Sequence, residues 1–302
     1  MRVTNQIITR NSQARLQSGL QGVDRLREDI SSGIRIRKMS DDPTSAGEVV
    51  RVGSSMRAIA QFRRNIDLGV ARASAEETAL NSVTDSLGRA IELGVAQSSA
   101  TGNAQSRLIV KAEVDTLLKF AVDLGNTKLG DAYVFGGTRS GEAPFAMPTT
   151  ATGTFSALTD ASGPVDPSGT PRMEIGDNKF VTPVHNGTEV FLDTDVLNSL
   201  RALSTALGNN DIPGIRAATD RITAASANVQ NVLGTQGARI NEMENARTNL
   251  DGTELMLKAF RADLRDTEVD KAMAELVGKQ TLYQAAMSAT TRILGLSLAN
   301  YL

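Results

Sequence analysis

The chain has 302 residues, with 32 basic and 34 acidic side chains for a formal net charge of -2, and it contains one histidine and no cysteine or tryptophan. The lack of cysteine excludes disulfides, a thiolate nucleophile and cysteine-held metals, and the scattered, balanced charge offers no basic surface to nucleic acid or an anionic membrane. With 40% hydrophobic and 4% aromatic residues, thin helical bundles suit the composition better than a thick α/β core.

The opening, MRVTNQIITRNSQARLQSGL, lacks the apolar core of a cleavable signal, and no run of 18 apolar residues spans a bilayer. A soluble protein is expected, with any export by another route. From about residue 5 to 33, Leu16, Leu20, Val23, Leu26 and Ile30 recur at helical spacing and predict one apolar face. SSGIRIRKMSDDPTSAG, residues 31–47, then interrupts the helix. Gly33 permits a left-handed or extended backbone there, Ser40, Asp41 and Asp42 offer side-chain caps, and Pro43 fits the first turn of the next helix. Arg35 or Arg37 could meet Asp266 or Asp270 on the returning chain.

A second helix is expected from there to about Ser98. Its stripe is Ile59, Phe62, Ile66, Gly69, Ala73, Glu76, Leu80, Val83, Leu87 and Ala90, with one charged residue in the seam. After SSATGNAQS, a third helix runs from about Gln105 to Leu124 on Leu108, Val114, Leu117, Leu118, Ala121 and Leu124. GDAYVFGGTRSGEAPF and the following fifty residues hold most of the prolines and the strand-like GTFSAL, RMEI, KFVTPV and TEVFL, which predict a small β-rich insert. Helical periodicity resumes near Asp195, restarts near Ile212, and closes with a regular block at about 253–299. There Met273, Leu276, Gln280, Tyr283, Met287, Thr290, Leu294, Ser297 and Tyr301 form a three-four ladder beside Leu298.

Two long amphipathic ends around a central insert make the layout of an elongated α-hairpin of long coiled-coil helices. The fold class is mainly α, with a small β-rich insert domain. Neither terminal stripe can be buried alone, and pairing them still leaves Ile7, Ile8, Val269 and Leu296 outside. That surface calls for identical or similar neighbours. Enzyme chemistry has no support. FGGTRSG lacks the lysine of a P-loop, and there is no G-x-S-x-G elbow. His185, in VTPVHNGTEV, has no second histidine or cysteine to share a metal and reads as a loop residue. No catalytic, cofactor-binding or metal residue is expected. The glycines within helices, Gly53, Gly69, Gly88, Gly94, Gly278 and Gly295, each cost about 1 kcal/mol relative to alanine unless close packing offsets it.

MRVTNQIITRN, ISSGIRIRKMSDDPTSAGEV, LGRAIELGVAQ, AYVFGGT and LGLSLANYL together resemble the bacterial flagellin superfamily. The resemblance is narrower to the hook-filament junction proteins, the hook-associated protein 3 family, and covers residues 1 to about 138 and about 195 to 302. Flagellins, the alternative, typically continue the double aspartate as DDAAGLAI, where this chain reads SDDPTSAGEVV, and more often end in LLR or similar, where this chain reads SLANYL.

The resemblance implies a secreted structural subunit of the bacterial flagellum. It would be exported unfolded through the type III apparatus with a chaperone on its C-terminal helix. Copies would form a ring between the first hook-associated junction protein and flagellin. It also implies three regions: a terminal-helix inner domain (1–38 with 268–302), a helical bundle (39–138 with 194–267) and an outward β-rich insert (139–193). Leu16, Leu20, Val23, Leu26, Ile30, Leu276, Tyr283, Met287, Leu294 and Leu298 would pack the terminal helices and subunit interfaces. Gly33, Arg35, Ser40, Asp41, Asp42 and Pro43 would connect inner to outer domain, and Arg89 and Glu92 would make a longitudinal contact.

Overall fold

The computed structural model describes residues 2–99, 102–147, 155, 159–160, 163–164 and 169–299. Helical periodicity dictates nearly all of it. The helices are α1 (Arg2–Ser32), α2 (Pro43–Gln97), α3 (Ala104–Gly125), α4 (Val196–Gly208), α5 (Ile212–Arg265) and α6 (Val269–Ala299). Among the described residues between α3 and α4 lie three antiparallel two-stranded pairs: β1 (Lys128–Leu129) with β2 (Ala132–Tyr133), β3 (Thr159–Asp160) with β4 (Gly163–Pro164), and β5 (Met173–Gly176) with β6 (Lys179–Val181). The chain divides into two compact units, Met1–Ala58 with Thr253–Leu302, and Ile59–Gly252.

In the second unit the expected α2 stripe is the buried one: Ile59, Ile66, Ala73, Leu80, Val83, Leu87 and Ala90 are all buried, and Glu76 is fully buried among them. It packs antiparallel to α5, as the pairs Arg63–Asp251 at 3.3 Å and Asp67–Arg247 at 3.4 Å fix the register. On α5 the facing positions are Ile215, Ala218, Ile222, Ala225, Val229, Gln236, Met243 and Ala246. Val114, Leu118 and Ala121 of α3 and Leu197, Leu200, Leu203 and Leu207 of α4 close the main core around them.

Leu108, expected on the buried face of α3, is exposed, and Arg107 takes the seam position instead. The cause is the end of α2, whose last carbonyls lack intrahelical donors. Arg107 donates from Nη2 to the Ser99 carbonyl at 2.7 Å and from Nε to that of Gln97 at 3.4 Å, and it also reaches Asn210 Oδ1. Arg216 of α5 donates to the Ser98 carbonyl from Nη2 at 2.9 Å. Two cations thus receive the negative end of the α2 dipole.

The insert is tied to the same core. Phe135 and Phe191 meet edge to face with centroids 5.1 Å apart, and Phe145 lies 5.2 Å from Phe191. Phe155 is buried with its amide donating to Asn198 Oδ1 at 2.8 Å. The remainder of GTFSAL lies outside the described residues. RMEI and KFV form the expected hairpin, β5–β6, but TEVFL is not a strand: Thr188–Leu192 is a π-helical turn. Asn186 Oδ1 accepts the Glu189 amide at 2.9 Å, which starts a helical turn, and Val190 and Phe191 then face the helical core.

Two of the helix glycines are explained by close approach. A β-carbon at Gly94 would stand 2.2 Å from Thr219 Oγ1 and 3.3 Å from its Cβ, and one at Gly69 2.8 Å from Met243 Sδ. At Gly88 nothing lies within 4 Å. Thr219 is stiff at χ1, so Gly94→Ala should destabilise the second unit by about 1–3 kcal/mol. Gly88→Ala should stabilise it by up to about 1 kcal/mol. Urea unfolding of the two variants beside the parent measures both.

Candidate assembly surface on the terminal helices

In the first unit α1 and α6 pair antiparallel: a β-carbon at Gly19 would lie 3.4 Å from the Tyr283 ring, and one at Gly22 3.7 Å from the Lys279 side chain. Small residues at these two places let the helices approach and form a shallow groove with Leu16, Leu282 and Ala286. The seam is thin. Of the apolar side chains described on the two helices, Val23 and Ala272 are buried, while Leu16, Leu26, Ile30, Leu276 and Tyr283 are half-buried.

The rest of the apolar surface faces outward. Leu20 and Met287, expected in the packing, are 42% and 48% exposed, because pairing covers only one side of each stripe. Ile7, Val269, Met273, Val277 and Leu282 are likewise exposed, at 48–70%. Ile7 and Val269 thus stand outside the pair as the sequence suggests. The side chains of Ile8, Leu294, Leu296 and Leu298 lie outside the described residues.

The break at 33–42 is built from backbone. Gly33 follows the last residue of α1 with φ of +68°, the left-handed conformation that ends helices on glycine. Arg35 and Ile36 amides donate to the Arg265 carbonyl at 2.8 and 3.3 Å, and the Thr267 amide donates to the Gly33 carbonyl at 2.9 Å. Ile34 and Asp266 form an antiparallel bridge. The break between α5 and α6 is therefore the partner of the break between α1 and α2.

The expected ion pairs across this contact do not form. Arg35 instead donates from Nη2 to the Leu264 carbonyl at 2.9 Å and approaches Asp42 at 3.7 Å, and Arg37 pairs with Glu28 and Asp29, both at 2.6 Å. Arg35 thus reaches across to the main chain of α5 rather than to an aspartate, and Arg37 turns back to α1. Asp29 is buried, and its carbonyl also accepts from Thr267 Oγ1 at 3.1 Å. Asp29, Arg25 and Thr267 carry no periodic signal that would have singled them out.

The caps divide their roles. Asp42 Oδ1 accepts the Ser45 amide at 3.2 Å and caps α2, with Pro43 as its first residue. Asp41 gathers the turn: Oδ2 accepts the Lys38 and Arg37 amides at 2.9 and 3.2 Å, and Oδ1 the Arg25 guanidinium at 2.7 Å. Ser40 stands exposed in the turn. Hydrogen bonds from Lys38 and Arg37 hold the Asp41 carboxyl below its ordinary value, and hydrogen bonds from Ser45 do the same for Asp42.

Profiles of known families match both ends of this arrangement: the bacterial flagellin N-terminal helical region over residues 3–139, and the bacterial flagellin C-terminal helical region over residues 219–302. The chain belongs to the flagellin superfamily. Among curated superfamily members, it is 25% identical to flagellar hook-associated protein 3 of Escherichia coli over 292 residues, covering 90% of each chain. It is 26% identical to a flagellin of Halalkalibacterium halodurans over 264 residues, 86% of this chain and 84% of that one. A putative flagellar hook-associated protein from Vibrio parahaemolyticus shares the fold with a TM-score of 0.65 at 19% identity, over 75% of this chain and all of that one.

Arg89 and Glu92, on the LGRAIELGVAQ stretch of this superfamily chain, are already joined within the subunit. Arg89 binds Glu113 of α3 at 2.9 Å and Glu92 at 3.0 Å, and these contacts, Glu113 first, raise its pKa further above the ordinary value. A contact to a neighbouring copy at this place would have to share or replace an existing ion triad.

A depressed carboxylate contributes stability above its unfolded value and loses it as pH falls through the folded one. The turn at 33–42 should therefore weaken below about pH 3.8, the ordinary value for Asp41 and Asp42. Thermal midpoints measured against pH should show a shallower acid fall in Asp41→Asn and Asp42→Asn than in the parent. Gly33→Ala, forced to keep a left-handed residue, should lower stability by about 1–2 kcal/mol at every pH.

Proposed function

We propose that this chain is a structural subunit of the bacterial flagellum that joins the hook to the flagellin filament. The observation that carries the reading is the match along 90% of both chains to a flagellar hook-associated protein 3. The departure of SDDPTSAGEVV from the alanine-rich flagellin pattern supports it against a filament subunit.

In this reading residues 1–38 and 268–302 are the assembling region. Pairing leaves Ile7, Leu20, Val269, Met273, Val277, Leu282 and Met287 uncovered, and neighbouring copies in a ring would cover them. At about 25 cal/mol per Å² of apolar area removed from water, each such side chain seated against a neighbour adds roughly 1–2 kcal/mol. The first hook-associated junction protein would lie on one side of the ring and flagellin on the other. A flagellar export chaperone would hold the C-terminal helix before secretion. Residues 39–138 with 194–267 would be the helical bundle domain, and 139–193 the outward insert. Arg89 and Glu92 make a contact along the axis once their ion triad opens to a neighbour. The role is structural, without catalysis or a cofactor.

Deletion of the gene, with electron microscopy of the cells and assay of flagellin in the medium, tests the role. The expected result is hooks without filaments and flagellin shed into the medium. Loss of flagellin from both cell and medium would instead make this chain the filament subunit, and unchanged filaments would overturn the junction reading. In a complemented strain, Val277→Asp and Leu282→Asp should fold normally and fail to restore filaments, because both side chains are exposed in the free subunit.

A further inference from the structure

The charged residue in the α2 seam has a partner that the sequence does not reveal. Glu76 Oε2 accepts the His185 amide at 3.1 Å, and Oε1 lies 2.7 Å from His185 Nδ1. His185 is buried rather than a free loop residue, and its Nε2 stands 3.0 Å from Thr235 Oγ1 on α5. Thr235 itself is exposed.

Glu76 grips both the ring and the main chain of His185, and Gln236 of α5 donates to the Pro183 carbonyl at 2.9 Å, so the segment that carries the imidazole is held between α2 and α5. A buried carboxylate at Nδ1 places the ring proton there and leaves a lone pair on Nε2. The Thr235 hydroxyl can give its single hydrogen to that lone pair. Its other acceptor, the Val232 carbonyl at 2.8 Å, already serves the backbone of α5. Carboxylate, imidazole and hydroxyl thus stand in the order, and at the separations, by which a hydroxyl is made nucleophilic.

His185 is the only histidine of the chain, so no other hydroxyl has an imidazole of its own. Thr223 and Thr248, exposed on the same helix, donate to the Thr219 and Glu244 carbonyls, both at 3.0 Å. Arg239 follows Thr235 by four residues on one face of α5, and its cation favours the negative charge that an acyl oxygen gathers during transfer.

We propose that Thr235 is an acyl-accepting site, with His185 as its general base and Glu76 as the positioning residue, and that it takes small activated acyl esters of the aryl ester and thioester class. Oγ1 attacks the acyl carbon while its hydrogen passes to Nε2. The bond to the leaving group then breaks, and the departing aryloxide or thiolate takes that proton from Nε2. An ester on Thr235 and a free phenol or thiol result, Glu76 stays a carboxylate throughout, and the ring regains its first tautomer. The transfer is stoichiometric, without turnover, and stands beside the structural role.

Treatment of the full-length protein with p-nitrophenyl acetate, followed by peptide mass spectrometry, tests this. Thr235 should be acetylated at least about tenfold faster than Thr223 or Thr248, as base catalysis requires, and equal rates at the three threonines overturn the proposal. Thr235→Val should lose the label and Thr235→Ser keep it. His185→Gln should bring Thr235 down to the level of the other two threonines, and an unchanged rate in that variant overturns the role of the imidazole. In Glu76→Gln the amide oxygen should stay on the His185 main chain and the NH2 turn to Nδ1, which moves the ring proton to Nε2 and removes the base. Nitrogen NMR of the single ring should therefore show Nδ1 protonated in the parent and Nε2 protonated in Glu76→Gln, with the label on Thr235 lost. Should the variants fail to fold, the parent still decides the matter, because a ring proton found on its Nε2 overturns the proposal.

Discussion

The short antiparallel contact between residues 33–36 and 265–267 is the constraint on which the first unit depends. Four backbone groups outside any helix are spent there, and they hold the end of α1 beside the break between α5 and α6. Backbone donors and acceptors shielded from water cost free energy when unpaired, and with Ile36 buried and Gly33, Arg265 and Thr267 half-buried, a shift of either break along its helix would break these bonds. The pairing of α1 with α6 inherits its register from this contact. Gly33 supplies the left-handed turn, Asp42 restarts the helix, and Asp41 draws Arg25 and the amides of 37 and 38 into a single knot.

Beyond that contact, the two units handle hydrophobic pattern in opposite ways. In the second, α3, α4, α5 and the insert surround the α2 stripe until Ile66, Ala73, Leu80, Val83 and Leu87 are sealed. In the first, each terminal helix has one partner, and one partner covers one side of a stripe. Val23 and Ala272 are buried while Met273, Val277 and Leu282 face outward. An uncovered apolar row that continues along a paired helix is what a subunit of an ordered assembly presents, and the membership of the flagellin superfamily agrees with it.

The helices were legible because a three-four spacing is local, and ten consecutive stripe positions of α2 fell where they were expected, Phe62 half-buried and the others buried. The turn chemistry of Gly33, Asp42 and Pro43 was equally local. What escaped was chemistry that depends on distant partners. Glu76 looked like a flaw in a seam, since His185 lies 109 residues away. Arg107 occupies an apolar position of α3 because of carbonyls at the end of α2, and Arg35 and Arg37 chose acceptors other than the aspartates they were matched to. TEVFL has strand composition, but the Asn186 cap and the aromatic cluster bend it into a helical turn. The site on the terminal helices was visible as a stripe, whereas the side of each stripe left open could be seen only once the helices were paired.

The contact that unites the breaks also has a kinetic meaning. Arg35 and its acceptor on Leu264 are 229 residues apart, so closing that loop in an unstructured chain would cost roughly 5 kcal/mol of entropy. The second unit lies wholly within this interval, and once it has folded the loop is short and the penalty largely gone. A middle that folds first would thus let the ends meet each other at little further entropic cost. In a chain made from its N-terminal side, α1 would have to wait for α6, the last of the described helices, before it could be paired.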